Sequence, residues 1–245
     1  MSGEAGKDGR GGMAAAAEIL LVEDERVVRR AFRALFEGEG FAVREAKDGE
    51  EGVRAFAARR PDLVVLDVMM PRMGGLPACE AIRARDPHVP ILFLTGVPSE
   101  TTQLRAYGVG ADDYVEKDTN PDLIVAKVRA ALRRGALPAP GAREEASGPF
   151  RLGRVSVDRR LLEVSAAGKP IGRLTKSEWD ILQVLSAQGG QTVSTDAIIA
   201  ALRGAGFACE DTMVYVHVSN LRRKLGPESA RLTNVRGAGY ALRID

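Results

Sequence analysis

Four short apolar runs in the first half of the chain each end in a group suited to phosphate or metal chemistry. Ile19-Leu20-Leu21-Val22 runs into Glu23-Asp24, and Leu63-Val64-Val65-Leu66 runs into Asp67. Val89-Pro90-Ile91-Leu92-Phe93-Leu94 runs into Thr95, and Asp113-Tyr114-Val115-Glu116 into Lys117. Short runs that are apolar nearly throughout suit strands covered on both faces. Helical periods fit Glu25–Glu37, Gly49–Ala58, Gly75–Ala84, Ser99–Tyr107 and Pro121–Leu132. Asn120-Pro121 marks the start of the last of these, Asn as N-cap and Pro at the first helical position. With a further strand expected over Phe41–Glu45, five strands alternate with five helices. That order predicts an α/β fold with a doubly wound, five-stranded parallel sheet. Functional groups in such a sheet collect outside the carboxyl ends of the strands. One nucleophilic carboxylate, two helper acids, a hydroxyl and an ammonium group would then meet in one place.

A carboxylate can accept a phosphoryl group as a covalent nucleophile. The incoming group is negatively charged, so a bare acidic cluster repels it. A divalent cation removes that objection, and Mg²⁺ prefers oxygen ligands. Glu23, Asp24 and Asp67 supply the carboxylates. Lys117 can hold a phosphoryl oxygen as a point charge, and Thr95 can donate a hydrogen bond. Each piece alone is common: an acid pair after a strand is mostly a solvated loop, and a Thr at a strand end mostly forms a local turn. The specific feature is the ordered set of four on successive strands.

A chain of 245 residues suits two domains. Its first 16 residues are rich in Gly, Ala and charge, without the apolar stretch of a signal peptide, and are expected to form a disordered leader. The first domain is expected over 17–134 and a Pro- and Gly-rich linker over 135–148. The second domain takes 149–245. No apolar run reaches the roughly 20 residues needed to cross a bilayer, so no membrane partner is expected. Two cysteines in different halves imply no disulfide framework, and a cytoplasmic protein is expected. Residues 1–147 carry 21 Lys+Arg against 24 Asp+Glu, while 148–245 carry 14 against 9. The second half is basic enough to approach a polyanion, although chance division of two solvated surfaces gives the same split.

In the second half, Phe150–Ser165 and Ile171–Leu174 read as short antiparallel strands with a turn at Gly168. Thr175-Lys176-Ser177-Glu178 is a capping box that opens a helix. Further helices fit Thr195–Arg203 and Asp211–Leu225, the latter with Val214, Val218, Leu221 and Leu225 as a buried stripe. Leu232–Arg236 and Tyr240–Ile244 flank Gly237-Ala238-Gly239 as a hairpin. Three helices and a hairpin make a winged-helix plan. Opposite the apolar stripe lie Thr212, Val216, Ser219 and Arg223, flanked by Met213 and Asn220. Such a helix can lie in a major groove, or it can be an ordinary amphipathic surface helix.

The stretches ILLVEDE, PDLVVLDVMMPRMGG, VPILFLTG and GADDYVEK resemble the response-regulator receiver domain over roughly residues 17–134. The resemblance implies that Asp67 takes phosphate from a sensor histidine kinase or a small phosphodonor. It implies an Mg²⁺ neighbourhood of Glu23, Asp24, Asp67 and the Met69 backbone carbonyl. Thr95 and Lys117 would bind the phosphoryl group, and Thr95 with Tyr114 would form the switch. Receivers of this kind pair through the face made by the fourth helix, fifth strand and fifth helix. Asp112 and Asp113 stand on that face with Lys127 and Arg129 as ionic partners, whereas Gln103 and Leu123 occupy the place of another charged pair. Exposed ion pairs give about 0.2–1 kcal/mol each, so a weak homodimer is expected. The family usually has Pro after the lysine; Asp118 stands there instead. A trans Lys117–Asp118 bond is therefore expected. The extra negative charge predicts slower phosphorylation or a less favoured active state.

LTKSEWDILQVL, EDTMVYVHVSNLRRKLG and TNVRGAGYAL resemble the winged-helix effector of the OmpR/PhoB family over about residues 149–245. The resemblance implies double-stranded DNA as partner, with RNA polymerase a further candidate. It sets Thr212, Met213, Val216, His217, Ser219, Asn220, Arg222 and Arg223 near the groove or phosphates, and Arg236 in the minor groove. Ser219 and Asn220 stand where basic residues are common, which implies a shallower salt dependence. The whole reads as a phosphorylation-controlled transcriptional regulator rather than an enzyme, beyond phosphate uptake and slow autodephosphorylation. Two rivals are a regulator whose receiver acts without phosphate and an Asp-nucleophile, Mg²⁺-dependent phosphatase. The phosphatase would want a second acid two residues after the nucleophile, where Met69 stands.

Overall fold

The computed structural model describes residues 16–96, 99–135, 148–204 and 211–244. The expected leader, apart from Ala16, and most of the expected linker lie outside the described residues. The first domain runs β1 (Glu18–Val22), α1 (Arg26–Gly38), β2 (Ala42–Ala46), α2 (Gly49–Ala58), β3 (Leu63–Leu66), α3 (Gly75–Arg85), β4 (Ile91–Thr95), α4 (Glu100–Gly108), β5 (Asp113–Glu116) and α5 (Pro121–Gly135). Its sheet is parallel throughout, in the order β2-β1-β3-β4-β5. The chain reverses direction across the sheet between β2 and β3, so β1 and β3 lie side by side at its centre.

Alternation along each strand builds two cores. Ile19, Leu21, Leu63, Val65, Leu92, Leu94 and Val115 pack with Phe32 and Phe36 of α1 and Ile124 and Val128 of α5. Leu20, Val22, Val64, Leu66 and Phe93 face the other way, with Phe56, Cys79, Ile82 and Tyr107. Burial on both faces explains why these strands read as unbroken apolar runs. Asn120 opens α5 as the sequence suggests, its side chain accepting from Asp122 N at 2.8 Å.

The second domain begins with a four-stranded antiparallel sheet: β6 (Phe150–Leu152), β7 (Val155–Val157), β8 (Glu163–Ala166) and β9 (Lys169–Arg173). Helices α6 (Lys176–Ser186), α7 (Thr195–Gly204) and α8 (Asp211–Lys224) follow. A short 3₁₀ turn over Gly226–Arg231 leads to the hairpin β10 (Leu232–Val235) and β11 (Gly239–Leu242). The capping box forms: Glu178 N donates to the Thr175 hydroxyl, and Thr175 N donates to Glu178 Oε2 at 2.8 Å. Val214, Val218, Leu221 and Leu225 are buried as one stripe of α8. Val193 pairs with Tyr240 in an isolated bridge that ties the hairpin to the loop before α7. The second of the two apolar clusters continues across the domain junction, from Ala106 and Tyr107 of α4 to Met213 and Val216 of α8.

Candidate functional site

The strand tips of β1, β3 and β5 bring Glu23, Asp67 and Lys117 together. Asp67 N donates to Val22 O at 2.9 Å, fixing the first two tips relative to each other. Lys117 Nζ stands 3.0 Å from Asp67 Oδ2 and 2.6 Å from Glu23 Oε2. Carboxylate oxygens of Glu23, Asp24 and Asp67 all lie within 4.8 Å of one another. Asp24 is exposed, while Glu23 and Asp67 are buried. Thr95 is buried at the tip of β4. The helix α3 approaches so closely that a Cβ on Gly75 would lie 2.0 Å from Asp67 O. Only a glycine leaves room for that approach.

Burial pushes both the Glu23 and Asp67 carboxyls above their ordinary range, and Lys117 opposes the shift in each. The Asp67 charge pushes Glu23 further up, and the Val68 and Met69 amides pull Asp67 down. Burial acts to lower the Lys117 pKa, but hydrogen bonding and attraction to Glu23 and Asp67 prevail and raise it. One ammonium group thus faces two buried carboxylates, with the Asp24 carboxylate beside them. Asp67 Oδ1 is buried with no hydrogen-bond partner among the described residues. A buried, unpartnered oxygen in a cluster of hard oxygen donors fits a divalent cation such as Mg²⁺. Met69 stands on the loop beside this cluster with its thioether exposed, so no acid stands two residues after Asp67.

Tyr114 of β5 is 7% exposed, its ring inside the domain. Burial pushes its phenol up, with Thr95 acting the other way. The expected trans bond after Lys117 is present, since no described peptide bond is cis, and Asp118 is exposed. The charged residues expected on the pairing face are all engaged within this chain. Lys127 Nζ donates to Asp113 Oδ1 at 2.8 Å, and Arg129 pairs with Glu39 at 2.8 Å. Asp112 pairs with Arg83 at 2.6 Å and also accepts from the Ser177 hydroxyl at 2.7 Å.

The α8 residues divide into three groups. Ser219 and Arg223 are exposed and Arg222 half-buried, with Arg222 Nε donating to Leu232 O at 3.0 Å. Met213, Val216, His217 and Asn220 are buried. Thr212 lies on α8, but its side chain is outside the described residues. Arg236 is exposed at the hairpin turn. The open solvent face expected of Val216 is therefore not what is observed, because the receiver-like domain packs over it. Sequence reasoning also passed over Tyr215, which is 61% exposed beside Ser219 on the uncovered flank. An aromatic at that spacing is a usable signal for a surface contact; Arg83 and Ser177 carried no comparable signal.

A parallel sheet with an acidic, lysine-bearing pocket at its strand tips, joined to a winged helix, defines a two-domain response regulator. Residues 19–129 match the model for the response regulator receiver domain, and 168–242 match that for transcriptional regulatory protein, C terminal. The chain is 36% identical to the transcriptional regulatory protein CseB of Streptomyces coelicolor, covering 94% of this chain and all of that one. It is 38% identical to the response regulator MprA of Mycolicibacterium vanbaalenii, over 92% of this chain and 96% of the relative. The alkaline phosphatase synthesis transcriptional regulatory protein PhoP of Bacillus subtilis is 31% identical over the same shares. A solved RitR mutant shares the fold over 94% of this chain and all of its own, with a TM-score of 0.70 at 21% identity. The chain belongs to the OmpR/PhoB family of response regulators, DNA-binding transcriptional regulators of two-component systems.

Proposed function

We propose that Asp67 is the phosphoacceptor of this regulator. The single observation that carries the reading is the unpartnered, buried Asp67 Oδ1 beside Lys117 and two further carboxylates. A carboxylate oxygen of Asp67 attacks phosphorus, and the bond from phosphorus to the donor breaks, leaving the donor its electron pair. The donor is the phosphohistidine of a sensor kinase or a small acyl phosphate. Lys117 and Thr95 hold the phosphoryl oxygens. Mg²⁺ would be held by Glu23, Asp24, Asp67 and the Met69 carbonyl, and when bound it offsets the charge on the phosphoryl oxygens.

Thr95 and Tyr114 carry the change to the face of α4, β5 and α5. A second copy then pairs through that face, with Asp112, Asp113, Lys127 and Arg129 exchanging their intrachain partners for contacts across the pair. Groove contacts come from Thr212, Met213, Val216, His217, Ser219, Asn220, Arg222 and Arg223, and Arg236 reaches the minor groove. RNA polymerase is the further partner. The domains divide at 17–134 and 149–245, and the protein works in the cytoplasm. Among the described residues, no helix is long and apolar enough to cross a membrane.

Intact-mass spectrometry after acetyl phosphate and Mg²⁺ tests the acceptor. One added phosphoryl group is expected on the native chain and none on Asp67→Asn. A second reading, a receiver that works without phosphate, is favoured by the inward Tyr114 ring and by Asp118. Loss of regulation in cells carrying Asp67→Asn decides against it. A phosphate-ester hydrolase has less support, because the Met69 thioether can neither give nor take the proton.

A further inference from the structure

The loop between β3 and α3, which carries Met69, is tied to the start of α2. Gly49 N donates to Met73 O at 3.1 Å. A Cβ on Gly49 would lie 2.4 Å from that oxygen, so the two segments meet backbone to backbone. One residue back on each segment, the Arg72 guanidinium donates to Asp48 Oδ2. Asp48 is also the N-cap of α2, its Oδ1 accepting from Glu51 N at 2.8 Å. The Asp48 side chain is 2% exposed and that of Arg72 52%. Burial pushes the Asp48 carboxyl up, but Arg72 and the Glu51 amide outweigh it and hold the group below its ordinary range. Arg72 has a φ of 63°, in the left-handed region. Glycine occupies that region freely, and an arginine does so at a cost. Such a conformation persists where its surroundings over-determine it, and the ion pair with Asp48 does that here.

We infer that Asp48 and Arg72 are positioning residues for the cation site: their ion pair latches the β3–α3 loop to α2 and so holds the Met69 carbonyl in place before a cation arrives. The inference rests on the reading of Glu23, Asp24, Asp67 and Met69 as that site. A side-chain ligand can be re-aimed by its rotamers, whereas a carbonyl goes where its backbone goes. Mg²⁺ demands nearly ideal octahedral geometry, so a loosely held carbonyl weakens its binding. Only Met70 and Pro71 separate Met69 from Arg72, and both are stiff. Pro71 has a fixed φ, and the residue before a proline is confined to extended backbone. A displacement at Arg72 therefore reaches Met69 with little absorbed between. Gly75 N donates to Val68 O at 2.9 Å, which closes the loop at its base. Both Asp48 oxygens are already engaged, so this carboxylate acts through the loop rather than on the cation.

Asp48→Asn keeps the helix cap, at which Asn serves as well as Asp, and removes the charge that Arg72 meets. Arg72→Gly removes the guanidinium and suits the backbone better. The full chain, the two variants, the double variant and Asp67→Asn are titrated with Mg²⁺ by calorimetry, and circular dichroism shows which are folded. Mg²⁺ should bind each single variant about tenfold more weakly, the lower end of what the outer partners of a metal site contribute. The double variant should be no weaker than either single one, since the same pair is lost in all three. Hydrogen exchange of the metal-free chain gives a second readout. The Gly75 amide, at the base of the loop, should exchange faster in both single variants than in the native chain. Native Mg²⁺ affinity in both folded single variants overturns the latch, and leaves the pocket standing if Asp67→Asn has lost the metal. Losses that multiply in the double variant overturn it too, because the two residues then act separately. Unchanged Gly75 exchange in both variants does the same. A native chain that takes up no Mg²⁺ overturns the pocket reading and the latch with it.

Discussion

At the scale of the residue, the acidic pocket carries charge at a cost to folding. The Asp67 and Glu23 carboxyls have pKa values raised by burial. A carboxyl raised in the folded state binds its proton more tightly there than in the unfolded chain. Its ionised form therefore subtracts from stability above the raised folded value, and that loss is relieved as pH falls through it. Asp67→Asn removes one of the two charges and keeps the shape. Its melting temperature without divalent metal should rise, for about 1 kcal/mol by roughly 2–8 °C, the span between larger and smaller domains than this one. Mg²⁺ should raise the melting temperature of the native chain and leave that of Asp67→Asn nearly unchanged, since a cation held by the folded site alone stabilises by mass action. Scanning calorimetry with and without Mg²⁺ reads both effects. A lower melting temperature for the variant, with the metal response retained, would place the charge burden elsewhere.

At the scale of the element, α3 is held against the Asp67 backbone by a missing side chain. A Cβ on Gly75 would meet Asp67 O at 2.0 Å and the Phe93 ring at 2.9 Å. Gly75→Ala should push the start of α3 outward and shift the Asp67 loop, costing about 1–3 kcal/mol as an overpacked core does. Urea unfolding should show that loss, and phosphoryl uptake from acetyl phosphate should slow by more than the stability change explains. Unchanged uptake would mean that the loop position is set without α3. Most elements of this fold were readable from sequence because burial on both faces of a parallel strand writes a wholly apolar word, as in Leu63–Leu66. The acidic pocket was readable for the same reason: strand tips fix Glu23, Asp67 and Lys117 before any side chain is positioned. Short antiparallel strands were less distinct. Phe150–Ser165 gives one continuous reading but divides into three strands, because turns at Gly153 and near Leu162 interrupt a half-buried pattern. Asp48 and Arg72 were not legible either: their ion pair joins the cap of α2 to the loop after β3, across 24 residues, with no local spacing to announce it.

At the scale of the whole molecule, the domain junction left no periodic trace in the sequence. Val216, His217 and Asn220 have the same pattern whether they meet DNA or α4, and Arg83 reads as an ordinary basic residue in the last turn of α3. What distinguishes the junction is His217, fully buried with neither ring nitrogen bonded among the described residues. Burial pushes its pKa down. Glu178 of α6 and Asp112 of β5's edge act against that shift, while Lys224 of α8 and Arg83 of α3 reinforce it. A histidine whose folded pKa is depressed contributes its full stability above its unfolded value, and loses it progressively as pH falls below about 6.5. In an open chain the ring is solvated and protonates freely, so acid selects the open form. Scattering of the unphosphorylated native chain, free of DNA, should therefore show expansion between about pH 7.5 and 5.5. His217→Phe, which keeps a neutral ring of similar breadth, should stay compact across that range. The readout is particle shape, so a role for His217 in DNA contact does not enter. If the native chain and His217→Phe expand in parallel, the His217 ring is not the group that sets the acid response.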